Sequence, residues 1–223
     1  METHVTIFRQ PVPYSEGLRI QDQFITDRQA NNIPDQLVVL EHTPVITLGV
    51  RAKAEHLLLS KEALNQRGIE LFETPRGGDV TYHAPGQLVI YPIMKLNGPE
   101  ADAHAFVNKL EEIAILTADA FYVNAFRRAG KTGVWTDQGK IAAIGVRFKK
   151  WVSSHGMSFN VDIDLAGFGA IVPCGLYGEK VTSLHAILGE KCPTMQEVRA
   201  VMMRHFERIM NRTLITPGLG HPR

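Results

Sequence analysis

Cysteine is scarce in this 223-residue chain. There are two, Cys174 and Cys192, too few for a disulfide framework, and no Cys/His array at zinc-ligand spacing surrounds them. Reduced thiols are expected, with no metal and no other cofactor. Neither sign of charge is in excess: 24 Lys and Arg stand against 23 Asp and Glu, a formal net charge of +1. That balance lacks the basic footprint of a nucleic-acid binder. No apolar run approaches the ~20 residues of a membrane span, and METHVTIFRQ has neither the basic nor the apolar region of a signal peptide. A soluble, cytoplasmic protein that engages neither nucleic acid nor membrane is expected. Repeats, low-complexity tracts and long Pro/Gly/Ser linkers are also missing. The chain is therefore read as one domain over residues 1–215 with a flexible tail at 216–223.

At 44% hydrophobic residues, the chain can bury one sizeable core. A strand at Val5–Phe8 precedes a helix from Tyr14 to Asn31, on which Leu18, Phe24 and Ile25 can face a core. DQLVVLEHTPVITLGVR reads as two strands broken at Thr43-Pro44, because proline removes a ladder donor. A helix over Ser60–Arg67 stops at Gly68, and a strand follows over Ile69–Thr74. RGGDVTYHAPG is read as a turn into the strand GQLVIYPI. Phe106, Leu110, Ile113, Ala114 and Thr117 lie at helical spacing within Ala103–Phe121. GVWT and KIAAIGVRF form a hairpin about Asp137-Gln138-Gly139, HGMSFNVDI supplies another strand, and Met195–Met210 a closing helix. Strands interspersed with helices, many in hairpins, indicate an α+β domain with a central mixed sheet flanked by helices.

Three features carry chemistry. Arg76-Gly77-Gly78 sets a cation beside two residues without Cβ, whose backbone N–H groups can approach an acyl or phosphoryl oxygen. A plain turn with a surface arginine is the bland alternative, and for Tyr82-His83 alone a satisfied core histidine is the commoner outcome beside an apolar strand. Cys174 sits between Pro173 and Gly175 in an irregular segment that can present a thiol; a buried, inert cysteine is its bland alternative. Cys192, in a polar connection, is expected to be dispensable. Lys140 opens an apolar strand, where a lysine ordinarily caps a strand end in solvent. Beside a cysteine it has another use, since a thiol of pKa ~8.5 is only slightly ionised at neutral pH and a neighbouring ammonium favours the thiolate.

Taken together, RGGDVTYHAPGQLVIYPI, GVWTDQGKIAAIGVRF, HGMSFNV and PCGLYGEKVTSL, with LVVLEHTPVITLG ahead of them, resemble the signature blocks of the lipoyl(octanoyl) transferases. The resemblance implies a biotin/lipoate protein ligase-like fold, Cys174 as acyl acceptor and Lys140 as its activating partner. It also implies an acyl site lined by Arg76, Gly77, Gly78, Asp79, Val80, Thr81, Tyr82 and His83, by Ala143, Ile144 and Gly145, and by Gly156, Met157 and Ser158. The implied reaction takes octanoyl from octanoyl-acyl carrier protein to a lysine of lipoyl domains, those of 2-oxoacid dehydrogenases and the glycine cleavage H protein. Neither ATP nor metal enters it. Lys140 or His83 would act as base in the second half-reaction, and Arg127, Arg128, Lys149 and Lys150 are candidates for steering acidic partners. Ala84 stands where the family usually has glycine, and Met157-Ser158 where Leu-Ala is commoner. An ATP-dependent lipoate or biotin ligase and a non-catalytic acyl-binding module on the same scaffold are the competing readings.

Overall fold

The computed structural model describes residues 1–173 and 178–216. Cys174 and the tail from residue 217 onward lie outside the described residues. In chain order the elements are β1 (Glu2–Ile7), α1 (Tyr14–Gln29), β2 (Asp35–Leu40), β3 (Val45–Leu48), α2 (Lys61–Gln66), β4 (Glu70–Glu73), β5 (Val80–His83), β6 (Gln87–Ile93) and α3 (Ala103–Asp119). There follow β7 (Phe126–Arg128), β8 (Lys131–Thr136), β9 (Gly139–Lys149), β10 (Val152–Asn160), α4 (Leu184–Leu188), α5 (Met195–Met210) and β11 (Thr213–Ile215).

Eight strands form one mixed sheet in the order β11-β1-β2-β6-β10-β9-β8-β7, and β4-β3-β5 form a smaller one. The central strands β2 and β6 are buried along their whole length, which explains their nearly continuous apolar sequences. Their two faces feed different cores. Leu37 and Val39 of β2 and Leu88 and Ile90 of β6 pack with Phe106, Leu110 and Ile113 of α3 and Val198, Met202 and Phe206 of α5. Val38, Leu40, Val89, Tyr91 and Ile93 instead face α1, against Ile20, Phe24 and Ile25. At about 1.5–3 kcal/mol for each large apolar side chain removed from water, the α3/α5 face supplies most of the packing energy. A third cluster, Ile46, Leu64, Val80, Tyr82 and Phe168 among others, holds the small sheet to α2.

Local signals explain the element ends. Ser60 and Thr194 cap α2 and α5, the latter in a reciprocal capping box with Glu197. Asn31 adopts φ 60°, so α1 stops at Gln29. Three features differ from the sequence expectation. First, β2 and β3, separated at Pro44, join different sheets. Second, the Arg76–Gly86 stretch is not one turn: the chain bends at 77–79, Val80–His83 is a strand paired with β3, and a second turn follows at 84–86. Ala84 is buried with no positive φ, while Gly86 takes φ +89° where a Cβ would meet Asp162 O at 2.3 Å. Third, β9 and β10 form one long hairpin through Lys150 and Trp151, both at positive φ. No helix among the described residues is long and apolar enough to cross a membrane.

Candidate active site

A cleft of about 520 Å³ is lined from both sheets. Val89 and Tyr91 of β6, Ala143–Gly145 of β9 and His155–Ser158 of β10 line it from the large sheet, and Arg76, Gly78–Thr81 and His83 from β5 and the loop before it. Tyr14 of α1, Arg51, Lys53, Glu55 and His56 add further lining, as do Gly130–Thr132 and Lys140. Of the residues singled out from sequence, Tyr82 is elsewhere, edge-on to Phe168 in the third core cluster. Gly77 does not line the cleft either. Its N–H donates to Val146 O at 3.0 Å, so it is committed to the fold and is not an oxyanion donor.

Arg76 is buried and held rather than displayed on a surface turn. Its Nη2 donates to Thr47 O at 2.6 Å and Thr47 Oγ1 at 2.8 Å, and Nη1 donates to Gly77 O at 3.0 Å. Close backbone packing at this corner depends on glycine: a Cβ on Gly145 would stand 2.7 Å from Gly77 O, and one on Gly49 2.5 Å from Gly78 O.

Around Arg76 lies a set of buried rings that the sequence did not single out beyond His83. His42 Nδ1 is 2.8 Å from Val12 O, which can only accept, so Nδ1 carries the proton and Nε2 accepts from the Tyr91 hydroxyl at 2.7 Å. Gln87 Nε2 donates to Asn160 Oδ1 at 2.8 Å, which turns Gln87 Oε1 toward His83 Nδ1 at 2.6 Å, and His83 is the donor there. Asn160 Nδ2 in turn donates to Thr182 O at 2.8 Å. His155 has φ 55° within β10, and its N–H donates to Gln21 Oε1 of α1 at 2.7 Å. Continuing the β6–β10 register places it opposite Pro92, which has no N–H to give the His155 carbonyl, and the Pro92 carbonyl accepts from Ser153 Oγ at 2.7 Å.

All three histidines are held neutral. Burial pushes His42 down to about 4, and burial pushes His83 and His155 to about 3 with help from neighbouring positive groups, Arg76 among them. Their unfolded value is near 6.5. Between that value and the folded ones the unfolded chain binds more protons, so stability rises with pH across this window. The three histidines therefore contribute fully above pH ~6.5 and progressively less toward pH ~3–4, each with a slope of up to about 1.4 kcal/mol per pH unit. Urea unfolding should show a steep fall in midpoint from pH 7 to pH 5. A flat midpoint over that range would mean that the rings titrate normally in the folded chain.

Lys140 is buried, contrary to the solvent-cap reading, because its side chain runs inward at the start of β9. Nζ donates to Thr132 O at 3.0 Å and stands 4.8 Å from the Trp135 ring centroid, a cation–π contact in a desolvated setting. Its backbone pairs across to the segment after Cys174: Lys140 N–H donates to Lys180 O at 2.8 Å, and Thr182 N–H to Lys140 O at 3.0 Å. Pro173, the residue before Cys174, and Val181 line a small cavity together with Lys140. Cys192 is the other thiol, partly buried and pushed up by that burial. The proposed steering residues divide. Arg127 is paired with Glu111 and Glu112, and Arg128 with Glu179, whereas Lys149 and Lys150 sit at the distal end of the β9–β10 hairpin.

Comparison with known proteins assigns this arrangement to a family. Residues 13–207 match the model of the lipoyl protein ligase A/B catalytic domain. An octanoyltransferase of Syntrophotalea carbinolica is 42% identical over 203 residues, covering 91% of this chain and 92% of that protein. One of Caldicellulosiruptor saccharolyticus is 46% identical over 186 residues, 82% and 79%. Among solved structures, a lipoate-protein ligase A bound with ATP superposes with a TM-score of 0.75 at 15% identity, over 98% of this chain and 90% of that one. A bipartite lipoate protein ligase of Thermoplasma acidophilum, described with its E2 lipoyl domain, gives 0.71 at 14% identity, over 98% and 87%. At such identities these structures establish the fold. The family model and the near full-length octanoyltransferase relatives establish the rest: the chain belongs to the lipoyl protein ligase A/B catalytic-domain family and, within it, to the octanoyltransferases.

Proposed function

We propose that the chain transfers an octanoyl group from an acyl carrier protein thioester to the target lysine of a lipoyl domain, through a thioester on Cys174, in a cytoplasmic setting. The observation that carries this reading is the buried Lys140 in the cleft, with Pro173 and Val181 of the Cys174-bearing segment sharing its small cavity. A lysine rarely gives up water without a task or a partner, and a thiol close by is such a task. Cys174 passes its proton to Lys140, and the thiolate attacks the octanoyl carbonyl. The tetrahedral intermediate expels the carrier thiolate, which takes the proton back from Lys140. The acceptor's neutral ε-amine then attacks the acyl-enzyme, Lys140 receives the amine proton, and Cys174 leaves as thiolate to be reprotonated.

His83 is the weaker candidate for the base. Held down to about 3 and donating from Nδ1 to Gln87, it is too weak a base for efficient transfer near neutrality. Thioester to thioester is nearly isoenergetic and thioester to amide is downhill, so the sequence needs no nucleotide. The test is intact-protein mass after mixing with octanoyl carrier protein. We expect one octanoyl adduct, labile to hydroxylamine and mapping to Cys174. An adduct confined to Cys192, or a hydroxylamine-stable one elsewhere, would overturn the covalent route.

A further inference from the structure

A carboxylate on the core side of α3 is the feature least explained by packing. Glu111 follows the core residue Leu110 and is itself buried, where an ionised group costs stability unless it is bonded. Its Oε2 accepts from Arg127 Nε at 3.0 Å, and its Oε1 accepts from the backbone N–H of Gly133 at 2.9 Å. That N–H belongs to the same peptide unit as the Thr132 carbonyl, to which Lys140 Nζ donates at 3.0 Å. One rigid peptide plane is thus clamped between a carboxylate on its N–H side and an ammonium on its C=O side. Such chains of hydrogen bonds polarise one another in a low-dielectric interior, so the carboxylate strengthens the carbonyl as an acceptor for the lysine.

Gly133 is needed for the clamp to close. It takes φ +126°, and a Cβ there would stand 2.4 Å from Lys140 Cε and 2.9 Å from Nζ. The β8–β9 register shifts between Val134 and Trp135, so the ladder alone does not fix this peptide. The other charges nearby are engaged elsewhere: Arg128 lies 5.7 Å from the Trp135 ring centroid and pairs with Glu179, as does Lys131.

We propose that Glu111 is a positioning residue for the acyl-transfer reaction, acting through the Thr132–Gly133 peptide to fix the Lys140 ammonium in place. The inference rests on the Cys174–Lys140 reading above. In Glu111→Ala, alkylation of Cys174 by iodoacetamide should be roughly 3- to 10-fold slower at pH 7, its pH profile moving upward by up to about one unit. The transfer kcat should fall on the order of tenfold, with KM for the carrier protein little changed. Glu111→Gln keeps an acceptor for Gly133 N–H but not the charge, and should move the profile in the same direction by less.

A merely structural Glu111 would lower the melting temperature and leave the pH profile in place, and that result overturns the proposal. Lys140→Met is the control that separates the two levels. If it moves the profile and Glu111→Ala does not, the positioning role alone is wrong. If neither moves it, the Cys174–Lys140 reading fails and takes this role with it. Should Glu111→Ala not fold, Glu111→Gln decides: an upward shift supports the role, and a profile identical to the parent's overturns it.

Discussion

Lys140→Met should leave a folded protein that transfers octanoyl at least about a hundredfold more slowly, within the ~10²–10⁴-fold that a positioned acid–base group typically supplies. Methionine is the informative replacement because Lys140 is buried and not at a solvated strand end. It keeps most of the aliphatic packing against Trp135 and, among the described residues, leaves Thr132 O without its Nζ donor, at a cost of about 1–3 kcal/mol. Alanine would add a cavity to that cost and confuse stability with chemistry. The rate of Cys174 alkylation against pH is the decisive measurement. An ammonium at ~4 Å in a medium of effective dielectric near 20 is worth up to about 4 kcal/mol to a thiolate. Its removal should move the profile to clearly higher pH. Identical profiles in the two proteins would sink the activating role, whatever happened to turnover.

Much of this architecture was legible in the sequence, for reasons that differ by element. The α3 helix announced itself because its buried positions, from Phe106 to Thr117, recur at helical spacing. Gly68 marked the end of α2. The Lys150–Trp151 turn was not marked: a two-residue turn with both φ values positive normally calls for Asn or Gly, and Lys-Trp carries no such signal. The segregation of β2 and β3 into separate sheets was equally silent, since Pro44 says that a strand stops and not where the next one pairs.

The cleft divides the same way. Residues contiguous in motifs, such as Arg76–His83 and Gly156–Ser158, were found together, and most of them do line it. Tyr14, His42, Tyr91 and His155 are contributed singly by four elements or loops, and only tertiary structure brings their rings together. Alternation within β5 was a usable signal that went unread: with Thr81 and His83 toward the cleft, Tyr82 must face away. The burial of Lys140 had a fainter one. Gly133, seven residues earlier in the GVWT block, is the vacancy its side chain crosses, but nothing in the spacing says that the two strands meet there.

Octanoyl carrier protein and an apo lipoyl domain, with no nucleotide or metal, should yield octanoyl-amide on the domain's lysine, and Cys174→Ala should reduce that yield to background. This comparison discriminates most sharply, because the fold is shared with a lipoate-protein ligase solved with ATP, so architecture alone cannot choose between transferase and ligase. The two chemistries differ in where activation resides. A thioester donor already carries it, whereas a ligase must make a mixed anhydride from a free acid and ATP and needs no thiol of its own. Free octanoate with ATP and Mg²⁺ should therefore give no product in either protein. Three controls guard the result: circular dichroism of Cys174→Ala to show that it is folded, Cys192→Ala to show that the second thiol is dispensable, and a salt series to separate docking from chemistry. Arg127 is held by Glu111 and Glu112 of α3 and Arg128 by Glu179, which leaves Lys149 and Lys150 as the steering candidates, and any contribution from them should fade as the Debye length falls from ~10 Å at 0.1 M to ~3 Å at 1 M salt. Turnover lost in Cys174→Ala at every salt concentration assigns the thiol to the chemistry and not to partner binding. Product from octanoate and ATP that survived Cys174→Ala would identify an adenylating ligase, and the acyl-enzyme route would have to be given up.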